Sequence, residues 1–405
     1  MRRTPLMLLV LLVVGALAAC GTARDRAAAA PTPVAAKPVG CKAAAAGQLA
    51  AVAAGIYDQA VNGRNLKDAT RRLQGSRALA LAVAHSDAAA TRVALKPLLR
   101  RLVSRAEVDG PHGRLATVGT RIAFAPVTRS LHDAAGRTVG HVVLSATDDG
   151  AYVALVRRLT GVNARVVHHA GGHGGPLNQL APAGSGSRHF EIATRSFPSG
   201  PARVELTTPP MGSSVCGATD LDTRVAVLEG IARNLFFAEG HRGGAPRAVR
   251  YAEHDPAFVS AVRRGDAAAT RAAIVGFFQN FNLHVVRVHV VKDGQVLEDL
   301  GGPDVLAPAA GTIRDAGGRP IASFVLAVQD DTGYIKLLHR FTGAEVVLQS
   351  PTGLIRGSTV DPGSTPIPAR GPVTVAGKRY RAASFTATAF PSGPLQISLL
   401  VPDPG

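Results

Sequence analysis

The chain has no tryptophan, five tyrosines and three cysteines, and it is short of acid: 28 Asp and Glu stand against 45 Lys and Arg in 405 residues, for a formal net charge of +17. A basic balance of this size first suggests nucleic acid. The aromatics needed to stack bases are scarce, at 4%, and the arginines are scattered with no Lys/Arg block, so no nucleic-acid partner is expected. An Arg-rich composition with attraction to anionic lipid or cell-wall polymer accounts for the charge. Beyond residues 6–14 there is no long apolar run, which excludes a second membrane span. The motifs of common enzymes are also missing: no Gly-x-Ser-x-Gly elbow, no His-Glu-x-x-His, no Gly-x-x-x-x-Gly-Lys. Ser199 and Ser392 sit in Phe-Pro-Ser-Gly turns that no histidine pairs with in both places. Neither an enzyme nor a cofactor is expected. Glycine (44) and proline (27) are frequent, yet Val, Leu, Ile and Phe supply a real core.

The first residues are a targeting segment and stay out of the fold. Arg2 and Arg3 precede the apolar run, and Leu17-Ala18-Ala19-Cys20 follows it. This resembles a bacterial lipobox. The resemblance implies removal of residues 1–19, a thioether-linked diacylglycerol and fatty acylation (palmitate) on Cys20, and a protein held outside the cell membrane by that anchor. Residues 20–40, rich in Ala and Pro with no apolar periodicity, read as a flexible tether. With Cys20 lipidated, Cys41 and Cys216 remain as an even pair in an oxidising compartment. They form a disulfide only if the helix starts they occupy lie side by side; the alternative is two free or intermolecular thiols.

The mature sequence repeats itself. Asp133-Ala134-Ala135-Gly136-Arg137, Asp148-Asp149-Gly150-Ala151-Tyr152 and Leu159-Thr160-Gly161 recur 182 positions later as Asp315-Ala316-Gly317-Gly318-Arg319, Asp330-Asp331-Thr332-Gly333-Tyr334 and Phe341-Thr342-Gly343. Asp87-Ala88-Ala89-Ala90-Thr91-Arg92 returns as Asp266-Ala267-Ala268-Ala269-Thr270-Arg271, and Phe197-Pro198-Ser199-Gly200 as Phe390-Pro391-Ser392-Gly393. Offsets drift from 175 to 193, so insertions fall between motifs, where loops belong. The boundary falls near residue 212, giving repeats over 41–212 and 213–405.

Each repeat opens with a long helix, at 44–73 and 221–238, followed by a shorter one capped by Asp87 or Asp266. The period then changes to two. A strand, a turn and a return strand lead to a second hairpin at Asp133 or Asp315, formed by turn chemistry. The most apolar strand comes next, then a short helix capped by the paired aspartates and closed at Thr-Gly. Further strands, ending at Phe-Pro-Ser-Gly, complete the unit. Neighbouring antiparallel strands with a long helix give an α+β class.

A long N-terminal helix, a strand–Asp-Gly–strand hairpin, an Asp-x-x-Gly-Arg hairpin and Asp-Asp-x-x-Tyr before a helix resemble the Cache, or PAS-like extracytoplasmic sensor, domains. The resemblance spans nearly all of 41–405, once per repeat. It implies two tandem domains, each a long N-terminal helix packed on one curved antiparallel sheet that encloses a small-molecule pocket. The chain departs from that family in having no transmembrane helix and no output module. Together, the lipobox and the sensor resemblance imply a membrane-anchored small-molecule-binding lipoprotein, its ligand an amino acid or carboxylate, with signalling delegated to a membrane receptor or kinase. The competing reading is a structural or protein-interaction lipoprotein of the envelope.

Four residues are candidate ligand contacts. Arg105 and Arg287, equivalent on the first strand, either fork to a ligand carboxylate or face solvent. Tyr152 and Tyr334 either donate to a ligand or pack the short helix on the sheet. Asp148, Asp149, Asp330 and Asp331 read as helix caps before cation ligands. His168-His169-Ala170-Gly171-Gly172-His173 has no copy in the second repeat and no accompanying Cys or carboxylate, so no metal site is assigned.

Overall fold

The computed structural model describes residues 40–99, 103–168, 188–197, 200–208, 215–242, 244–280, 282–355, 357–391 and 393–404. The first half begins with α1 (Cys41–Asn62), α2 (Arg64–Gln74), α3 (Arg77–Ala84) and α4 (Ala88–Leu99). It continues through β1 (Arg105–Gly110), β2 (Gly113–Gly119), β3 (Ala123–Phe124), β4 (Val127–His132), β5 (Thr138–Ser145), α5 (Asp149–Thr160), β6 (Asn163–His168), β7 (Arg188–Phe197) and β8 (Gly200–Thr208).

The second half repeats this order. It runs through α6 (Asp220–Phe237), a π-helical turn (Ala238–Arg242), α7 (Gly244–His254), α8 (Pro256–Arg264) and α9 (Ala267–Gln279). Strands β9 (Arg287–Lys292), β10 (Gln295–Gly301), β11 (Val305–Leu306), β12 (Ala309–Arg314), β13 (Pro320–Ala327) and β14 (Gln329–Asp330) come next, then α10 (Asp331–Thr342). It closes with β15 (Glu345–Ser350), β16 (Gly353–Leu354), β17 (Arg370–Val375), β18 (Lys378–Phe390) and β19 (Gly393–Pro402).

Two expectations need correction. The helix expected over 44–73 is two helices, α1 and α2, broken at Gly63. A Cβ at Gly63 would lie 2.1 Å from the Gln59 carbonyl oxygen, so only glycine lets the chain bend there. The single curved sheet expected per repeat is two antiparallel sheets. In the first half they are ordered β2-β1-β5-β4 and β3-β7-β8-β6; in the second, β10-β9-β13-β12 and β11-β18-β19-β15, with β14, β16 and β17 added to the latter. The chain enters the second sheet with the two-residue β3 or β11, then returns to the first. Ala125 and Ala307 make that return with φ of 56° and 50°, a strained geometry for a residue with a Cβ. β5 and β13 share one burial alternation, since both lie inside their first sheets with one face on the core.

The two halves do not keep separate cores. Helix α1 packs on α5, α6 and α10, and its many alanines allow that close approach on several sides. Val52, Tyr57, Phe124 and Tyr152 of the first half share one buried cluster with Leu228, Ile231, Leu235 and Tyr334 of the second. A further core, including Phe258, Phe277 and Phe324, joins α7, α8 and α9 to the β10-β9-β13-β12 sheet. Cys41 and Cys216, at the starts of the two halves, are disulfide-bonded across 175 residues with Cα atoms 5.4 Å apart. Among the described residues no helix is long and apolar enough to cross a membrane.

Candidate functional site

Arg105 and Arg287 occupy one position of the repeated fold, the first residue of an inner strand, β1 or β9, of the first sheet. Arg105 is buried, 7% exposed. It donates to Glu107 and to the carbonyls of Thr120 and Arg121, the last at 2.6 Å. Arg287 donates from Nη2 to Asp299 at 2.7 Å and from Nη1 to the carbonyls of Gly302 and Pro303. Each guanidinium therefore ties down the link from the first sheet to the second. Each is also covered by an aromatic ring from the far end of the second sheet: Phe197 lies 4.9 Å from Arg105 and Phe390 5.2 Å from Arg287. The recurring Phe-Pro-Ser-Gly thus supplies the ring that covers a recurring arginine. Gly119 and Gly301 (φ +105° and +131°) pass so close that a Cβ on either would lie 2.1 or 2.3 Å from a backbone oxygen beside these arginines.

Tyr152 and Tyr334 are completely buried. Their hydroxyls donate to the carbonyls of Ala53 and Ala232, at 3.0 and 2.8 Å. The contact is with the long helix of each half, α1 or α6. Burial pushes both phenols above their ordinary pKa.

The aspartate pairs divide their work. Asp148 and Asp330 cap α5 and α10, accepting from Ala151 and Gly333. Asp149 and Asp331 do not cap. Asp149 Oδ2 lies 2.7 Å from His168 Nε2, and Asp149 Oδ1 accepts from Ser196 at 3.2 Å. Burial pushes the Asp149 carboxyl above the usual carboxylate range, opposed by His168 and Ser196. The His168 side chain is only 2% exposed, and its Nδ1 has no partner among the described residues, nor has the buried Thr194 hydroxyl. The second half has Ser350 at the His168 position and Ala389 at the Ser196 position. Its Asp331 accepts from Thr332 instead. Sequence points to His168 through its histidine run and to Asp149 through the aspartate pair, but not to Ser196 or to the contact among the three, because strand pairing brings them together. Asp133 and Asp315 close their hairpins, each accepting two backbone N–H groups at 2.9 Å. Cys20, His169, His173, Ser199 and Ser392 lie outside the described residues.

Two adjoining concavities among the described residues of the first half are open grooves. One, of about 440 Å³, lies between the α2–α3 turn and the β4–β5 hairpin, among Gln74, Arg77, Leu81, His132, Asp133 and Arg137. A second, of about 230 Å³, continues past Gln74 along α2 and β4, among Val61, Leu66, Lys67, Arg71 and Arg129.

No protein-family model and no curated protein matches this chain. Among solved structures, the periplasmic domain of Vibrio cholerae LuxQ aligns over 44% of this chain and 100% of its own, at 10% identity and a TM-score of 0.33. Its selenomethionine form aligns over 44% of this chain and 95% of its own, at 10% identity and a TM-score of 0.29.

Proposed function

We propose that this protein is an extracytoplasmic, sensor-like binding protein tethered to the cell membrane through Cys20. Its ligand sits in the open groove between the α2–α3 turn and the β4–β5 hairpin. The observation that carries this reading is the groove itself: about 440 Å³, a volume suited to a small molecule, with several polar groups around an apolar floor. The disulfide supports the location, because such bonds persist in oxidising compartments. An amino acid or carboxylate suits the arginines at the rim, and a membrane receptor or kinase would carry any signal onward. A thermal-shift screen of amino acids and carboxylates tests the reading. A stabilising hit that disappears in an Arg77→Ala variant supports it; no shift across the set counts against it.

A second reading, a protein-interaction platform, draws on the filled sheets and on the candidate arginines and tyrosines being bonded within the chain. Co-purification of one membrane protein, with no response to small molecules, favours it.

A further inference from the structure

The two adjoining grooves are lined by five cationic side chains, Lys67, Arg71, Arg77, Arg129 and Arg137, and by a single carboxylate, Asp133. Asp133 is taken by Arg137 at 2.8 Å, and Arg71 is held by Asp68, outside the lining, at 2.8 Å. Lys67, Arg77 and Arg129 pair with no carboxylate among the described residues. The fold does not require these charges. The buried stripe of α2, Leu66, Ala69 and Leu73, corresponds to Ala245, Ala248 and Ala252 of α7. On that alignment Lys67, Gln74 and Arg77 become Pro246, Glu253 and Pro256, while on the strand Arg129 becomes Gly311. In the second half Glu253 accepts from Thr312 N, and Arg263 donates to the Arg314 carbonyl. The same architecture is thus built without those three cations, while Arg71 and Arg137 recur as Arg250 and Arg319.

We infer that the paired grooves of the first half bind an extended polyanion whose charges are phosphates in a chain. The assignment rests on the binding-protein reading above and, for that same groove, puts a phosphate chain in place of a small carboxylate as the ligand. Two concavities that share Gln74 suit a chain with repeated charge better than a single anion. Guanidinium groups fork to phosphate oxygens and keep their charge at any cellular pH. The groove is also remote from Cys41 along α1. It lies beside Val61, at the C-terminal end of α1, while the chain enters at Cys41; a helix of 22 residues is about 33 Å long.

The test uses the full chain, oxidised, with inorganic polyphosphate as probe and binding followed by calorimetry. Expected is binding whose log affinity falls linearly with log salt, as phosphate neutralisation requires, and a loss of about tenfold or more in the K67E/R77E variant. The K336E/R340E variant, with the same charge change on exposed α10 positions, should bind as wild type. Equal loss in both variants, or no polyphosphate binding, overturns the assignment. So does equal affinity for polyglutamate, which would remove phosphate from it, or a preference for phosphatidylglycerol vesicles. Failure here with a carboxylate hit still obtained in the thermal-shift screen leaves the binding-protein reading standing, so the two failures are distinguishable.

Discussion

Arg105 and Arg287 stand at the same position of the repeat and differ in the carboxylate they hold. Arg105 faces Glu107, which is 1% exposed, whereas Arg287 faces Asp299, whose side chain is 32% exposed. Removing Arg105 leaves a buried carboxylate with Arg114 as its remaining partner. Arg105→Ala should therefore cost roughly 3 kcal/mol, at the low end for breaking a buried pair. Arg287→Ala should cost about 1 kcal/mol, since its pair is screened by solvent. Denaturant titration of both variants measures the difference; unchanged stability in Arg105→Ala, with loss of a ligand response, would make it a ligand contact. The tyrosines give a matched pair. Tyr152→Phe and Tyr334→Phe each remove one buried hydrogen bond to a long-helix carbonyl, and each should lower stability by about 1 kcal/mol.

The elements most readable from sequence are those specified by local turn chemistry. The hairpins at Asp133 and Asp315 appear where the motif places them, because an aspartate accepting from N–H groups two and four residues on specifies the turn by itself. Those backbone bonds, above all from Arg137 and Arg319, hold both carboxyls below the usual carboxylate range. A depressed folded-state pKa means stability that is present above the unfolded-chain value and lost as pH falls through the folded one. A D133N/D315N variant should accordingly lose stability less steeply than wild type between roughly pH 5 and pH 2, as measured by thermal melts across that range. The caps at Asp148 and Asp330 and the glycine stops at Gly161 and Gly343 are equally local, and they are found where expected. What sequence does not show is long-range. The division into two sheets depends on β3 and β11, two residues each, pairing with β7 and β18; so short a strand has no period to detect. The polar cluster of Asp149, His168 and Ser196, and the cover of each arginine by a distant phenylalanine, depend on the same pairing. The break at Gly63 is hidden by the helix-forming residues on either side.

At the scale of the whole molecule the repeat is visible in sequence, but the shared core is not. Helices α1 and α6 belong to different repeats and still bury one cluster together, so the halves act as one body. The disulfide closes a loop of 175 residues. Chain entropy alone gives such a closure up to about 5 kcal/mol, with 2–4 typical of measured cases. A C41S/C216S variant should unfold at lower denaturant by about that amount in free energy, and a wild-type protein insensitive to reductant would contradict the clamp. Every function proposed for this chain requires an exported, lipid-held body. Intact-mass spectrometry of the non-reduced protein, taken from the membrane fraction of cells that make it, tests that most directly. The predicted result is a chain beginning at a diacylglycerol-modified Cys20 and lighter by the two thiol hydrogens of Cys41 and Cys216. An unmodified chain that keeps residues 1–19, or one recovered with both thiols free, would contradict it.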